Sequence, residues 1–370
     1  MNLKKSCLLL IYCFFLIIIS PLSSYGTEYE NFIVIGGFMP VDSDEGLFTP
    51  LIYWDHNTED YPLNGALNIK LETSTLTARM EHEIPWTHIY LGYGVKGTAL
   101  SESLGTDIYQ NGEMLEQYTY DGSSASFLLS ARYEFTKKWD ITYQYQYKKA
   151  WFDTNDDTSS TFVLPPDYKA DIHSIKLAHK GSFFGKKGEF EVTFIQGYRD
   201  DLANWTLDST SISKDDYNKQ TFKWKIPIDY TKKNKGELVL SGGNGYNLDV
   251  LTDFGVGGLA SQYTAAGFYR YEFRAKKILS GNFSHEYHFT KNRRLLLYAD
   301  LLYFESIDLS NVNNSDKDQT IGSLGAGFYY GIESLGGLPI IIRYGEGLNV
   351  DSASKESHRR EVMLLIVAGF

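Results

Sequence analysis

The sequence predicts an all-β fold, a transmembrane antiparallel β-barrel of about 16 strands with short periplasmic turns and long extracellular loops. Three observations predict it: the form of the last strand, a period-two alternation of apolar and polar residues, and a regular alternation of short and long connections. The last strand alternates apolar residues and ends the chain on an aromatic: Val362, Leu364, Ile366, Ala368 and Phe370. About nine to eleven residues span a thin bilayer when tilted, so this row forms a lipid-facing surface. A buried edge strand of a soluble sheet is the alternative for this segment alone.

The first 26 residues have the pattern of a secretory signal peptide. Lys4 and Lys5 precede an apolar run, Cys7 to Ile19, and small residues flank Tyr25 before Thr27. We therefore expect a cleaved signal at residues 1–26 and a single barrel domain at 27–370, located in the cell outer membrane. An uncleaved anchor is the alternative, although the run is short for a membrane-spanning helix.

Composition narrows the function classes. Cleavage would remove Cys7 and Cys13, the only two cysteines, so the mature chain would have neither disulfides nor thiolate metal sites. It would also remove two lysines and no acid, taking the formal net charge from −11 to −13 (−11 − 2). This balance argues against a nucleic-acid partner. No cofactor or metal site is predicted.

The period-two pattern is clearest between Trp139 and Trp151, in a chain of which 15% is aromatic. Apolar and aromatic side chains occupy one face: Trp139, Ile141, Tyr143, Tyr145, Tyr147 and Trp151. Polar side chains occupy the other: Asp140, Thr142, Gln144, Gln146 and Lys148. Such alternation suits one face toward lipid and one toward water. A β-sandwich shows the same alternation, so the connections must decide between the two folds.

Short basic turns alternate with long polar connections along the chain. The short ones include Lys137-Lys138 and Lys291 to Arg293, and the long ones are 98–122, 152–170, 199–218, 252–275, 305–319 and 348–358. A barrel segregates its connections in this way, whereas a sandwich has no reason to. Twelve strands follow Trp86. The region before it supplies two or four more, and a hairpin at Thr73 to Thr75 would give 16 strands rather than 14.

From Thr252 onward the order of motifs resembles the barrel of the bacterial surface antigen superfamily, which includes the β-barrel assembly factor and two-partner secretion transporters. The motifs cover roughly the last third of the chain: Gly257-Gly258, Ala266-Gly267-Phe268, Glu272 to Ala275, Glu286-Tyr287, Tyr298-Ala299-Asp300, Leu324 to Gly327, Leu338-Pro339, Arg343 to Gly345 and the terminal Phe370. The likeness is one of fold.

The resemblance implies a loop folded into the lumen, with a motif made of Gly257, Gly258, Ala266, Gly267, Phe268, Arg270 and Arg274. The family's loop carries an arginine that pairs with an acid on a nearby strand, and Ala266-Gly267-Phe268 replaces that tripeptide here. Asp300 matches the acid, with Glu286 as a second lumen acid. The cationic partner of Asp300 is then expected to be Arg270 or Arg274. Alternatively, Asp300 simply faces a wet lumen.

A second departure is the start of the barrel, which is expected within a few residues of Thr27. This leaves no room for the polypeptide-transport-associated (POTRA) domains with which family members normally begin. We therefore expect a short member of the superfamily without a periplasmic domain, so that a mechanism needing such domains would depend on a separate protein.

The resemblance implies a role in envelope biogenesis, or passage of a polypeptide or lipid through the barrel or its lateral seam, where Asn31 to Phe38 meets Val362 to Phe370. Expected partners are outer-membrane lipids and lipopolysaccharide, the barrel assembly machinery that inserts the terminal strand, and a protein or lipid substrate. A passive diffusion porin with a charged lumen is the main alternative. A surface receptor or adhesin also remains open.

No enzymatic activity is expected. His173-Ser174 and Ser284-His285 place histidine beside serine, but adjacent strand residues point to opposite faces and cannot share a proton. His285 is expected on the lipid face and His288 on the lumen face.

Overall fold

The computed structural model describes most of the chain after residue 28. The described residues are 29–40, 49–61, 65–72, 74–100, 109–110, 113–114, 119–156, 158–183, 186–200, 215–231, 233–258, 261–268, 272–306, 318–332, 338–349 and 358–369. The expected signal peptide, Arg270 and Phe370 lie outside them. Within these residues, no helix is long and apolar enough to cross a membrane.

Sixteen antiparallel strands form one closed sheet, which confirms the predicted fold class and strand number. The strands are β1 (Tyr29–Pro40), β2 (Thr49–Tyr61), β3 (Gly65–Glu72), β4 (Thr75–Ile84), β5 (Ile89–Leu100), β6 (Asp121–Thr136), β7 (Trp139–Asp153), β8 (Tyr168–Phe183), β9 (Lys186–Arg199), β10 (Asp216–Asp229), β11 (Asn234–Tyr246), β12 (Phe273–Thr290), β13 (Arg293–Ser306), β14 (Asp318–Ile332), β15 (Leu338–Asn349) and β16 (His358–Gly369). Each strand pairs with its chain neighbours, and β16 pairs with β1.

Side-chain alternation gives the barrel two different faces. On β7, Ile141 and Tyr143 are exposed on the outside, whereas Thr142 between them is buried on the lumen side. Apolar side chains of β6 and β16, such as Phe127 and Leu364, are likewise exposed outward. The outer surface is therefore apolar and meets lipid, while the lumen is polar.

The connections are short at one end of the barrel and longer at the other, where the tight turn between Glu72 and Thr75 is the exception. Short turns join Ile84 to Ile89, Thr136 to Trp139 and Thr290 to Arg293, and the hairpin between Glu72 and Thr75 supplies the pair of strands that makes 16. The connection after β11 begins at residue 247, earlier than the sequence indicates, and contains two short strands, Phe254–Gly257 and Tyr263–Thr264.

The seam between β1 and β16 is fully paired in this structure. Its register runs from Phe32 opposite Gly369 to Pro40 opposite Glu361. Gly36 lies against the Leu364 carbonyl oxygen so closely that an added Cβ would overlap it and would approach the Leu365 Cα to 2.9 Å. The glycine therefore permits close backbone approach at the seam.

We predict that Gly36→Ala weakens barrel closure by about 1–3 kcal/mol, because the new methyl group overpacks the seam. The measurement is the temperature at which the folded band disappears in SDS electrophoresis, which should fall. Gly281→Ala on β12 is the matched control, since its Cβ would meet only the Leu240 side chain, at 3.7 Å. Equal transition temperatures for the two variants would contradict the close backbone approach at Gly36.

Candidate functional site in the barrel lumen

The described parts of the connection between β11 and β12, residues 247–258, 261–268 and 272, enter the barrel, and we call them the inward loop. Its strand Phe254–Gly257 pairs antiparallel with the start of β12 and parallel with Tyr263–Thr264. Gly257 and Gly267 have φ angles of 144° and 84°, which only glycine adopts readily. The two glycines let the loop turn at the end of its strand and again at its tip.

An apolar cluster holds the loop against the wall made by β12, β13 and β14. The loop contributes Phe254, Val256, Tyr263, Ala265 and Phe268, all buried, and the wall contributes Phe273, Ala275, Ile278, Leu302, Phe304 and Ile321. Edge-to-face contacts between Phe254 and Tyr263 and between Phe268 and Phe273 add directional packing. The loop is thus a packed part of the core.

The tip of the inward loop reaches Asp300 through a hydroxyl group. The Ala266 N–H donates to Ser323 Oγ at 3.0 Å, and Ser323 donates to Asp300 Oδ2 at 2.6 Å. Asn282 Nδ2 donates to Asp300 Oδ1 at 2.8 Å and to the Thr264 carbonyl at 3.3 Å. Within the described residues, Asp300 has hydrogen-bond donors in place of a cationic partner.

The same tip contacts β15 and the terminal strand β16. Ala266 and Phe268 pack over the lumen face of Gly345 and Gly347, where an added Cβ would lie 2.5 Å from the Ala266 Cβ and 2.7 Å from Phe268 Cε2 respectively. The Gly267 N–H donates to the Glu361 carboxylate. The inward loop is therefore bound to the strand that closes the barrel.

A cavity of about 180 Å³ lies beside the tip. Its walls include Asp300, Glu361, Arg343 and Tyr298. The Arg343 guanidinium lies 4.1 Å from the Tyr298 ring centroid, and the Tyr298 hydroxyl donates to the Tyr344 carbonyl at 2.7 Å. An arginine from the wall, instead of the loop, thus supplies positive charge close to these carboxylates.

Two ion pairs fix the root of the inward loop. Arg199, which is 1% exposed, makes a two-pronged contact with Asp249 at 2.8 and 3.2 Å. Arg274 donates to Asp253 at 2.9 Å and to the Val250 carbonyl at 2.8 Å. Burial raises the pKa of Asp253, and the opposing effect of Arg274 offsets only part of this. Buried pairs of this kind hold the loop root in one position, because removing one partner leaves the other charge buried and unpaired.

A second apolar cluster lies at the long-loop end of the barrel next to this root. Tyr120 stacks on Phe162 at 5.8 Å and meets Phe152 edge-on at 5.7 Å. Val250 of the inward loop is buried in the same cluster with Tyr168. We call it the dome cluster. The dome cluster and the inward loop thus meet at the long-loop end of the lumen.

Most of the predicted site residues fall into two groups. Gly257, Ala266, Gly267 and Phe268 lie in the inward loop, as does Gly258, whose carbonyl accepts from the Ser261 N–H. Outward-facing Val362, Leu364 and Ile366 are exposed on β16; nothing is described of the Ala368 side chain.

Two expected pairings need correction. Arg274 binds Asp253 at the loop root, so the prediction that it pairs with Asp300 is wrong; Arg270 lies outside the described residues. Glu286 belongs to a separate cluster, with His288 at 3.1 Å and Arg294 at 3.6 Å. The loop reverses direction between root and tip, and this separation along the lumen keeps Arg274 away from Asp300.

Sequence reasoning missed the residues that receive the loop tip, namely Ser323, Asn282 and Glu361. One available signal was the alternation of Gly345 and Gly347 on β15, since glycines two apart in a strand mark a close approach on one face. The buried pair of Arg199 and Asp249 gave no signal, because its members are 50 residues apart.

No protein-family model matches the chain, and no curated protein matches it in sequence. Solved structures do match. CdiB from Acinetobacter baumannii superposes with a TM-score of 0.59 and 12% identity, covering 92% of this chain and 60% of its own. BamA from Haemophilus ducreyi lacking POTRA domains 1–3 gives 0.58 and 8%, with coverage of 93% and 70%. This chain therefore shares the barrel fold of these two proteins.

CdiB from Escherichia coli gives a TM-score of 0.57 and 12% identity, covering 92% of this chain and 63% of its own. The resemblance that the sequence indicates to the surface antigen superfamily is thus confirmed at the level of the fold. The chain spans about three fifths of the length of the two CdiB proteins. The placement of the inward loop between β11 and β12 is established by this chain's own contacts.

We predict that Gly347→Ala releases the tip of the inward loop, because its methyl group would lie 2.7 Å from Phe268 Cε2 and 3.0 Å from the Ala266 carbonyl. Hydrogen exchange at the Ala266 amide should quicken roughly tenfold, which corresponds to about 1.4 kcal/mol of lost docking energy. Gly322→Ala on β14 is the control, since its Cβ would lie 3.4 Å from the Asp300 carbonyl, an ordinary contact. Unchanged exchange in Gly347→Ala would contradict this docking geometry.

Proposed function

We propose that this protein is an integral outer-membrane barrel that acts in envelope biogenesis, passing or inserting a polypeptide or lipid through its lumen or its seam without catalysing a reaction. The observation that carries the proposal is the docking of the inward loop on β14, β15 and β16. One element thereby obstructs the lumen and contacts the strand that closes the barrel.

Obstruction of the lumen favours a gated barrel over a passive diffusion channel. A diffusion pore needs a permanent aqueous path, and here the buried cluster of the inward loop and the dome cluster occupy its long-loop end. The polar lumen wall below them is suited to a hydrated substrate once the loop moves.

Coupling between loop and seam favours lateral passage. Glu361, which accepts from the Gly267 N–H, lies directly opposite Pro40 of β1 in the seam register. Movement of the tip therefore changes the support of β16 where it meets β1. Opening of an edge in lipid leaves backbone groups unpaired unless a substrate strand or another edge pairs with them. A polypeptide able to add as a strand meets that requirement.

The expected partners follow from this role. Outer-membrane lipid and lipopolysaccharide surround the apolar outer face, and the terminal strand is the segment that an assembly machinery would engage. The substrate is a polypeptide or lipid of the envelope.

We predict that the wild-type barrel gives a closed or flickering trace in planar bilayers and that Asp249→Asn raises its open probability. The substitution leaves Arg199 buried without its carboxylate, at a cost of about 3–5 kcal/mol, and so loosens the root of the inward loop. Asp200→Asn is the control, since Asp200 and its partner Lys169 are both solvent-accessible and their 3.6 Å pair contributes little. Steady large openings of the wild-type protein would instead support a diffusion porin.

We predict that a disulfide across the seam abolishes function if the seam must open. Val34 and Val367 are directly paired, so Val34→Cys with Val367→Cys, in a background with Cys7 and Cys13 replaced by serine, should form the bridge. The measurement is restoration of the outer-membrane barrier in a strain lacking the protein, before and after reduction. Ile341→Cys with Leu365→Cys bridges β15 to β16 and is the control. Full function of the locked seam would overturn lateral opening.

A further inference from the structure

A row of cationic side chains crosses the lumen wall opposite the inward loop. Residues paired across successive strands place Lys70, Lys96, Lys148 and Arg199 in one continuous row on β3, β5, β7 and β9. The intervening strands contribute small side chains to the same row: Thr77, Ser126 and Ala170. All seven positions face the lumen by the period-two alternation.

The two ends of this row are neutralised. Lys70 forms an ion pair with Glu72, and Arg199 forms its two-pronged pair with Asp249. Each end therefore carries an acid of its own, held in direct contact.

The middle of the row is not neutralised. Neither Lys96 nor Lys148 forms an ion pair with a carboxylate among the residues that the structure describes, and the attraction of Glu72 for Lys96 is weaker than the repulsion from Lys148. Lys148 donates only to the Tyr168 hydroxyl at 3.4 Å, and Lys148 and Lys96 repel each other. Arg199 adds to the repulsion at Lys148. Two like charges at neighbouring positions of the lumen wall, of which Lys96 is exposed to the lumen, attract an anion.

The geometry suits one small dianion. Lys96 and Lys148 are two strands apart, so their Cα atoms are about 10 Å apart and their flexible side chains can converge over the Ser126 between them. Ser126 accepts from Gln146 Nε2 at 2.9 Å, which leaves its own hydroxyl hydrogen to donate. A phosphate monoester carries close to two negative charges and three acceptor oxygens. Lysine is a common phosphate ligand.

We propose that Lys96, Lys148 and Ser126 form a binding site for a phosphate monoester group in the barrel lumen. Free phosphate and a lipid that carries a phosphomonoester headgroup share this chemistry. The site depends on the barrel alone, whether or not the seam opens.

The test is calorimetric titration of the purified barrel in a nonionic detergent, at constant ionic strength set with chloride. The probes are inorganic phosphate, glycerol 3-phosphate and a short-chain phosphatidic acid. Saturable binding by any of them is expected. Lys96→Gln with Lys148→Gln should lower the affinity at least roughly tenfold, since two charge-assisted contacts are lost. Binding by all three would indicate the phosphate group itself, and binding by phosphatidic acid alone would indicate the lipid as its source.

Lys225→Gln is the matched control, because Lys225 also faces the lumen but is already paired with Glu237 at 2.9 Å. It should bind like the wild type. Folding of every variant is checked by its compact band in cold SDS electrophoresis. Absence of saturable binding to the wild type, or an equal loss in Lys225→Gln and in the double variant, would overturn the site. Neither result would bear on the conductance or the seam.

Discussion

Closure of the sheet by β1 and β16 is the constraint on which everything else depends. In hydrocarbon no water is present to satisfy backbone N–H and C=O groups, so a sheet that spans a membrane must leave no edge. The pairing from Phe32 and Gly369 to Pro40 and Glu361 meets that requirement. Because the cylinder is closed, each strand has one face in lipid and one in the lumen, and the period-two pattern assigns every side chain to one of them.

Closure also creates an interior that must be filled or left wet, and this chain does both. The inward loop fills the part next to β12, β13 and β14 with buried aromatic side chains. Across the lumen, the wall carries lysine, serine and glutamine side chains. The barrel is therefore asymmetric inside, with a packed half that holds the loop and a polar half that remains available to a ligand.

The contacts of the loop tip differ in kind from those of its root. At the root, buried ion pairs join Arg199 to Asp249 and Arg274 to Asp253. These pairs resist displacement, because separating them would leave buried charges unpaired. At the tip, the hydrogen bonds run through Ser323, Asn282 and Glu361, and Ala266 and Phe268 pack over glycines. A loop fixed firmly at one end and through hydroxyl and amide groups at the other can move its tip while its root stays in place.

The sequence by itself determined the fold class, the strand number and the facing of the strands. These are local properties: alternation, turn composition and strand length act within a few residues, and Glu72 to Thr75 already contains the turn that makes 16 strands. The position of the inward loop was also predictable, through its resemblance to other barrels. The residues that bind the loop were not predictable. Arg274 binds Asp253, whereas Asp300 binds Ser323 and Asn282.

Only the tertiary structure decided which lumen groups meet. Ser323 and Ala266 are 57 residues apart, and Arg199 and Asp249 are 50 apart, so their contacts exist only after the sheet has closed. The row of Lys96 and Lys148 likewise depends on the register of three strands, which alternation does not fix, because a shift by two residues preserves the facing of every side chain and changes all its neighbours.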